Sequence, residues 1–231
     1  MKKILVTGSD SRFGKILKNL KSSKKFIFRN KNQLNILSLK SIKSNIKKFK
    51  PDYILHLAGL SRPMSIHENN INKSIDLNII GTCNIIKEVS KLNIKLIYLS
   101  TSYIYPGVKG NYTEEDPIKP WNNYAWSKLG GECAVQMYKN SLILRLCMTE
   151  KPFIHNKAYV NVLSNFIFQE NVAKIIVKLL DKKGIINVGG PSKSIYEFAI
   201  KNKKDVKKIY SKGEFPKRTD MNLKKLNNIL K

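Results

Sequence analysis

Short apolar runs alternate with amphipathic stretches along most of the chain. The apolar runs are short and rich in β-branched residues, which predicts strands at Lys3–Thr7, Phe26–Phe28, Tyr53–Leu57, Leu96–Leu99, Leu142–Leu146 and Ile185–Val188. Apolar residues recur at helical spacing in Phe13–Leu20, Ser38–Phe49, Asn72–Leu92, Tyr124–Tyr138 and Asn171–Leu180. This alternation predicts an α/β fold, a doubly wound parallel sheet of the Rossmann type with helices on both faces.

The pattern weakens after Leu146. Thr149–Val160 is predicted to be a loop, and the Lys-rich tail shows only two short helical patterns, Ile195–Lys201 and Leu223–Leu230. We therefore expect a small C-terminal lobe beside the sheet domain. The predicted division assigns 1–148 and 168–190 to the sheet domain, and 149–167 and 191–231 to the lobe.

The first strand leads into a turn that carries Gly8, Ser11 and Gly14. A dinucleotide site needs glycines here for a tight turn and for close approach of the backbone to the diphosphate, and the following helix offers free N–H groups. The first and last glycines are present, and Ser11 occupies the middle position. The position of this turn after the first strand favours a dinucleotide site over a plain loop.

The end of the second strand indicates which dinucleotide binds. An acidic residue there suits the ribose of NAD, whereas a basic residue suits the additional phosphate of NADP. No Asp or Glu occurs between Phe26 and Leu37, and Arg29 stands at this position with Lys31 and Arg12 as possible support. We expect NADP(H) to be favoured, with NAD(H) possible.

Two tyrosines are followed by a lysine four residues later. In Tyr124-x-x-x-Lys128, the ammonium would lie one helical turn from the phenol and favour its ionised form, as a tyrosine acid–base catalyst requires. Tyr105 and Lys109 have the same spacing. Pro106 and Gly107 break the helix that would align this second pair, so we predict Tyr124 and Lys128 to be the functional one.

These segments together resemble an extended short-chain dehydrogenase/reductase, within the epimerase/dehydratase superfamily, and are most similar to the dTDP-4-dehydrorhamnose reductase type. The resemblance covers most of the chain. The segments that carry it are Gly8–Gly14, Gln33–Ile36, Pro51–Gly59, Asn78–Asn84, Leu99–Tyr105, Tyr112–Pro117, Tyr124–Glu132 and Asn187–Pro191. Their order and spacing are specific, although no single segment is.

The resemblance implies a role for each matching residue. Thr101, Tyr124 and Lys128 would be catalytic, with Thr101 bonded to the sugar carbonyl, Tyr124 as proton donor and Lys128 lowering its pKa. Thr101, Tyr103 and Tyr124 would contact the substrate. The residues expected to bind the cofactor are Gly8, Ser11, Arg12, Phe13, Gly14, Arg29, Asn35, Ile36, Leu57, Ala58, Gly59, Asn78, Tyr124 and Lys128.

The implied activity is NAD(P)H-dependent reduction of a 4-keto nucleotide sugar, in deoxysugar or surface polysaccharide biosynthesis. Three departures bear on the substrate. Ser102 and Asn171 each stand where the family usually has Asp, and the segment between Leu146 and Phe168 is short, which implies a shortened substrate-binding lobe beside the NAD(P)-binding domain. An epimerase of the same superfamily remains an alternative. A 4,6-dehydratase fits less well, because those enzymes resemble Thr-Asp-Glu where this chain has Thr101-Ser102-Tyr103.

The net charge of +27 suggests a different class, a non-catalytic dinucleotide-fold protein that binds RNA or a protein partner. However, 38 of the 43 basic residues are Lys and five are Arg, the residue preferred for reading bases. Lys, Asn and Ile are abundant together, as A/T-rich codons would produce. We therefore expect no nucleic-acid partner of consequence, and a nucleotide-sugar substrate.

The remaining features concern compartment and metal. Lys2 and Lys3 precede only three apolar residues, too few for a signal peptide, and no apolar run is long enough to span a membrane. Three widely spaced cysteines indicate reduced thiols. We expect a cytoplasmic protein without a metal site, in which His56, His67 and His155 are structural or exposed, and a homodimer is possible.

Overall fold

The computed structural model describes all 231 residues. A six-stranded sheet forms its centre, built from β1 Lys3–Thr7, β2 Lys25–Arg29, β3 Tyr53–His56, β4 Lys95–Thr101, β5 Ser141–Leu146 and β10 Gly184–Val188. Every pair in it is parallel, and the strand order is β10-β5-β4-β3-β1-β2. The other strands are short: β6 Met148–Thr149, β7 Lys157–Tyr159, β8 Leu163–Ser164, β9 Ile167–Phe168, β11 Lys193–Ser194 and β12 Lys207–Ile209.

Nine α-helices connect these strands: α1 Arg12–Lys18, α2 Leu39–Phe49, α3 Ile66–Asn69, α4 Ile71–Ile75, α5 Gly81–Val89, α6 Asn123–Gln136, α7 Gln169–Leu179, α8 Ile195–Ile200 and α9 Lys224–Leu230. None of them combines the length and the apolar composition that crossing a bilayer requires.

Side chains alternate between the two faces of each strand, which gives two cores. Ile4 and Val6 of β1 belong to a buried cluster of 19 residues that also contains residues of α1 and α7. Leu5 belongs to a cluster of 13 residues with α2, α5 and α6. Helices therefore cover both faces of a parallel sheet, and the predicted fold class is confirmed.

The long helix predicted over Asn72–Leu92 is interrupted. Asp76–Ile80 forms a π-helical turn between α4 and α5, and Ser90–Leu92 tightens into a 3₁₀ turn. A π-helical turn is wider than an α-helical turn by one residue, which barely shifts the spacing of the apolar positions. The sequence pattern therefore did not predict this interruption. Wide turns of this kind occur often at functional sites, and Asn78 lies in this one.

The C-terminal lobe is held by short strands that pair over long distances. β7 pairs with β12 and β8 with β11, and six buried residues form the lobe's own apolar cluster. The predicted loop Thr149–Val160 therefore contains a strand, because its pairing partner lies about fifty residues away. Leu226 of α9, which the predicted division places in the lobe, packs in the apolar cluster of the sheet domain.

Candidate active site

Strand β1 lies between β2 and β3 in the sheet. The chain therefore passes from β1 to β2 on one side and then crosses to β3 on the other side, which reverses the strand order at β1. Parallel sheets bind ligands at such a switch point, beyond the carboxyl ends of the strands. A cleft of about 690 Å³ opens there, between the sheet edge and the C-terminal lobe. Of the predicted site residues, those that line it are Ser11, Arg12, Phe13, Leu57, Gly59, Asn78, Thr101, Tyr103, Tyr124 and Lys128.

The turn after β1 has the geometry that a dinucleotide site needs. Gly8 has φ +65°, and a Cβ atom there would lie 2.6 Å from the Cα of Ala58. A Cβ on Gly14 would lie 2.5 Å from the carbonyl oxygen of Ser9. Both positions therefore require glycine. Ser11 caps α1 by accepting a hydrogen bond from the N–H of Gly14 at 3.0 Å, which explains a serine in the middle position.

Arg29, Asn35, Ile36 and Ala58 do not line the cleft. The Arg29 guanidinium lies 4.2 Å from the ring centre of Phe49, and its buried Nε has no hydrogen-bond partner in the protein. Asn35 accepts a hydrogen bond from the N–H of Leu37, and Ile36 is buried. Arg29 thus leaves one donor unpaired at the end of β2, whereas Asn35 and Ile36 shape the backbone there.

The guanidinium of Arg12 pairs with a carboxylate that Arg62 shares. Its Nη1 lies 2.6 Å from Oε1 of Glu150, and Nη1 of Arg62 lies 3.0 Å from the same oxygen. Glu150 thus bridges the turn after β1 and the loop after β3. The support of Arg29 by Arg12 stays a prediction, since the structure shows Arg12 engaged with Glu150.

Thr101 ends β4, and its hydroxyl accepts a hydrogen bond from the N–H of Tyr103 at 3.2 Å. Tyr124 lies in the first turn of α6, which Asn122 caps by accepting from the N–H of Ala125. Lys128 follows one turn later on the same side of the helix. The structure therefore brings Thr101, Tyr124 and Lys128 together at one wall of the cleft.

The pKa of Tyr124 is raised, whereas the resemblance implied that Lys128 would lower it. Burial raises the pKa of Tyr124 to about 12, and the groups that lower this pKa are the Thr101 hydroxyl and Arg62. Burial also lowers the pKa of Lys128 to about 7, which the Glu132 carboxylate opposes. The Lys128 ammonium lies over the ring of Tyr98, 4.2 Å from its centre. Tyr124 is therefore a protonated acid at neutral pH.

Tyr105 and Lys109 are separated by the structure. Tyr105 is fully buried, its hydroxyl donates to Oδ1 of Asn187 at 2.8 Å, and it accepts from Arg145. Lys109 pairs instead with Asp116 on the surface. The second Tyr-x-x-x-Lys match therefore supports the fold and does not line this cleft.

Asn78 and His56 form hydrogen bonds that position the backbone beside the cleft. The Asn78 amide donates to the carbonyl of Leu60 and to Ser127, and it accepts from the N–H of Leu60 at 2.7 Å. Its hydrogen-bonding groups are thereby used, which makes Asn78 a positioning residue for the loop after β3. We infer the same role for His56, whose ring bonds to Thr7 at 2.8 Å and to Thr82 at 3.2 Å.

The protons of this network can be assigned. The Thr7 hydroxyl oxygen accepts from the N–H groups of Leu57 and Ala58, so its own proton goes to Nδ1 of His56. Nε2 then donates to Thr82, whose hydroxyl donates to the carbonyl of Asn78. The imidazole must be neutral for this chain of hydrogen bonds, and burial lowers the pKa of His56 to about 3.

His67 and His155 differ in their burial. His67 is buried, bonds to Ser74 at 2.7 Å and packs against the ring of Tyr124, whereas His155 is exposed. The structure places no three His, Cys, Asp or Glu side chains together as a metal ion would need.

The cleft residues that sequence reasoning missed include Arg62, Trp121, Glu150 and Phe215. Trp121 could have been found, since it stands three residues before Tyr124 in a segment already singled out. Arg62, Glu150 and Phe215 lie in irregular segments without a motif, and only the fold brings them to the site.

Comparison with known proteins agrees with this architecture. The family described as RmlD substrate binding domain matches residues 1–184. SpsK of Bacillus subtilis, a spore coat polysaccharide biosynthesis protein, is 27% identical over 221 residues, which cover 86% of this chain and 77% of SpsK. Methionine adenosyltransferase 2 subunit beta of Rattus norvegicus is 36% identical over 103 residues. That stretch is 45% of this chain and 30% of the rat protein.

Solved structures share the whole fold. A dTDP-4-dehydrorhamnose reductase from Bacillus anthracis, in complex with NADP, superposes with a TM-score of 0.88 at 21% identity, covering 99% of this chain and 93% of that one. A UDP-glucose 4-epimerase from Thermus thermophilus, in complex with NAD, gives a TM-score of 0.74 at 16% identity, covering 98% and 92%. The resemblance found in the sequence is confirmed: the chain belongs to the RmlD substrate binding domain family.

Proposed function

We propose that this protein is an NADPH-dependent reductase of a 4-keto nucleotide sugar, acting in deoxysugar or surface polysaccharide biosynthesis. One observation carries the proposal: Thr101, Tyr124 and Lys128 line the same cleft as Ser11, Arg12 and Phe13, which belong to the turn between Gly8 and Gly14 that is suited to a dinucleotide. Family membership and the similarity to SpsK support the substrate class.

The protein's own residues provide the acid chemistry. A sugar carbonyl held by the Thr101 hydroxyl would lie within reach of Tyr124, whose raised pKa keeps its proton in place until oxygen becomes basic. The proton then passes from Oη of Tyr124 to the developing alkoxide. Lys128 would hold the ribose beside the reacting carbon. When bound, the reduced nicotinamide supplies the hydride.

The residues fit the cofactor. The turn from Gly8 to Gly14 would hold the diphosphate, and the unpartnered Nε of Arg29 fits the additional phosphate of NADP. The similar reductase from Bacillus anthracis is in complex with NADP, which supports the same preference, while the Thermus epimerase is in complex with NAD.

The proposal is tested by following the loss of NADPH absorbance with a panel of 4-keto nucleotide sugars. We expect turnover with at least one 6-deoxy-4-keto substrate, and a smaller kcat/KM with NADH. Arg29→Asp should weaken NADPH binding more than NADH binding. Tight NADPH binding without turnover on any member of the panel would contradict the activity but leave the dinucleotide site standing.

The further partners deduced from the sequence stay predictions. We propose that binding of the basic surface to RNA or DNA is weak, independent of sequence, and abolished by moderate salt. We also propose a cytoplasmic location and a homodimer, which cell fractionation and sedimentation measurements would test.

A further inference from the structure

Aromatic side chains cover one wall of the cleft beside Tyr124. The ring centres of Tyr103 and Trp121 lie 4.8 Å apart, and those of Trp121 and Phe215 also 4.8 Å. Tyr159 continues the wall at 5.7 Å from Phe215. Each of these rings lines the cleft, and Tyr103 contacts Tyr124 edge-on at 6.2 Å. The wall therefore begins one ring away from the proposed proton donor.

The backbone holds Trp121 in a fixed position. On one side of it, the N–H of Lys119 donates to the carbonyl of Ile104 at 2.8 Å. On the other side, Asn122 caps α6. Because hydrogen bonds hold the backbone on both sides of Trp121, the indole enters the cleft at a defined place relative to Tyr124 in the first turn of α6.

Phe215 arrives from the C-terminal lobe and is tied there through Ser211. The Ser211 hydroxyl donates to the carbonyl of Phe215 at 2.8 Å, and its backbone exchanges two hydrogen bonds with the Asn161 side chain. The lobe thereby completes an aromatic surface that the sheet domain begins.

One polar atom of this wall has no partner. The indole Nε1 of Trp121 is buried, yet it donates to no acceptor in the protein. A buried donor without an acceptor destabilises a folded chain, so such groups need an explanation. A ligand oxygen in the cleft would supply the missing acceptor.

We infer that Trp121 is a specificity residue that recognises the sugar of the nucleotide sugar. A carbonyl within reach of Tyr124 places the rest of that sugar ring against the adjoining aromatic wall. The aromatic faces cover the apolar C–H face of the sugar, and the indole N–H donates to a sugar hydroxyl or ring oxygen. This inference rests on the proposed function, because it takes the reacting group to be a sugar carbonyl.

The chain offers a matched control. Trp126 is the only other tryptophan, lies on α6 just after Trp121, is 54% exposed and does not line the cleft. Trp121→Phe and Trp126→Phe are therefore the same chemical change inside and outside the site. Trp126→Phe also leaves Trp121 as the sole indole, so its fluorescence reports on the cleft alone.

The experiment titrates both variants and the unmodified protein with dTDP-glucose, UDP-glucose and free dTDP, in the presence of NADP⁺. We expect Trp121→Phe to weaken dTDP-glucose or UDP-glucose about 3- to 10-fold, the effect of one lost hydrogen bond, and to leave dTDP unchanged. Trp126→Phe should bind all three normally, and its fluorescence should change with the sugar nucleotides but little with dTDP.

Kinetics separate recognition from a merely structural role. On a substrate that is turned over, Trp121→Phe should raise KM with little change in kcat, because the contact is made equally in the ground and transition states. Equal affinities of Trp121→Phe and the unmodified protein for the sugar nucleotides would overturn the inference. Equal weakening of dTDP would also overturn it, since the wall would then hold the base.

If the proposed function is wrong, the experiments give a different result from the one that overturns the role of Trp121. In that case no 4-keto nucleotide sugar is reduced by the unmodified protein, whereas the fluorescence titration still reports whether Trp121 meets a sugar.

Discussion

The central sheet and the C-terminal lobe differ in the amount of apolar core that each one buries. The sheet and its helices bury clusters of 19 and 13 apolar residues, whereas the lobe's own cluster contains six. Strand pairing spans similar lengths of chain in both parts, so its range does not distinguish them. The sheet therefore supplies most of the buried core, while the lobe contributes little core and two of the four rings of the aromatic wall, Tyr159 and Phe215.

The largest expected effect concerns the acid of the sheet domain. Tyr124→Phe removes only the phenolic hydroxyl, so turnover on a verified substrate should fall by about 10²–10⁴, while NADPH binding and folding persist. Tyr105→Phe should change the chemical step little and instead lower the free energy of unfolding by about 1–3 kcal/mol, since Arg145 and Asn187 lose a buried partner. Near-normal turnover of Tyr124→Phe would remove the main support of the reductase proposal.

The next-largest effect concerns how stability depends on pH through the buried His56. His56 is neutral in the folded protein, with a pKa lowered to about 3, whereas its unfolded value is 6.5. The unfolded chain therefore binds the extra proton between these values, and stability should fall by a few kcal/mol as pH falls from 6.5 towards 3. Above pH 6.5 this contribution is constant.

Urea unfolding at a series of pH values measures that slope. His56→Gln should be less stable at neutral pH but should lose less on acidification. An unchanged slope in the variant would assign the acid sensitivity to other groups.

A pair of identical substitutions compares the two regions directly. Val188 in β10 and Val162 in the lobe are both fully buried. Val188→Ala should lower the global unfolding free energy by about 1–3 kcal/mol, through lost burial and the resulting cavity. Val162→Ala should shift global unfolding less and mainly raise KM for the nucleotide sugar.

Hydrogen exchange distinguishes the two outcomes, because loosening of the lobe should expose the amides of β7 and β12 before those of the sheet. Equal shifts in global stability from the two variants would show that lobe and sheet unfold as one unit.

The smallest expected effect concerns Glu150. Its carboxylate engages Arg12 and Arg62 in the cleft, where the phosphates of a dinucleotide compete for the same guanidinium groups. Glu150→Gln should therefore tighten NADPH binding by a factor of a few at low salt, with a smaller gain at high salt. Calorimetric titration measures this, and weaker binding would show that Glu150 itself contacts the cofactor.

The parts of the site that the sequence predicted are those tied to local periodicity. Gly8 follows a strand, and Tyr124 opens a helix whose period places Lys128 on the same side. These positions could be located from spacing together with local context, since Pro106 and Gly107 excluded the pair Tyr105 and Lys109. The pKa values could not, because they depend on burial and on Arg62, a residue without a motif. Phe215 and Glu150 reach the cleft through irregular chain, and α9 returns to the sheet through contacts that no short pattern encodes.

The return of α9 to the sheet has a mechanical consequence. The lobe consists of the chain between β5 and α7 and the chain between β10 and α9, so four covalent connections anchor it to the sheet domain. Four connections restrict the directions in which the lobe can move relative to the sheet more than a single linker would, because any hinge axis has to pass close to all of them.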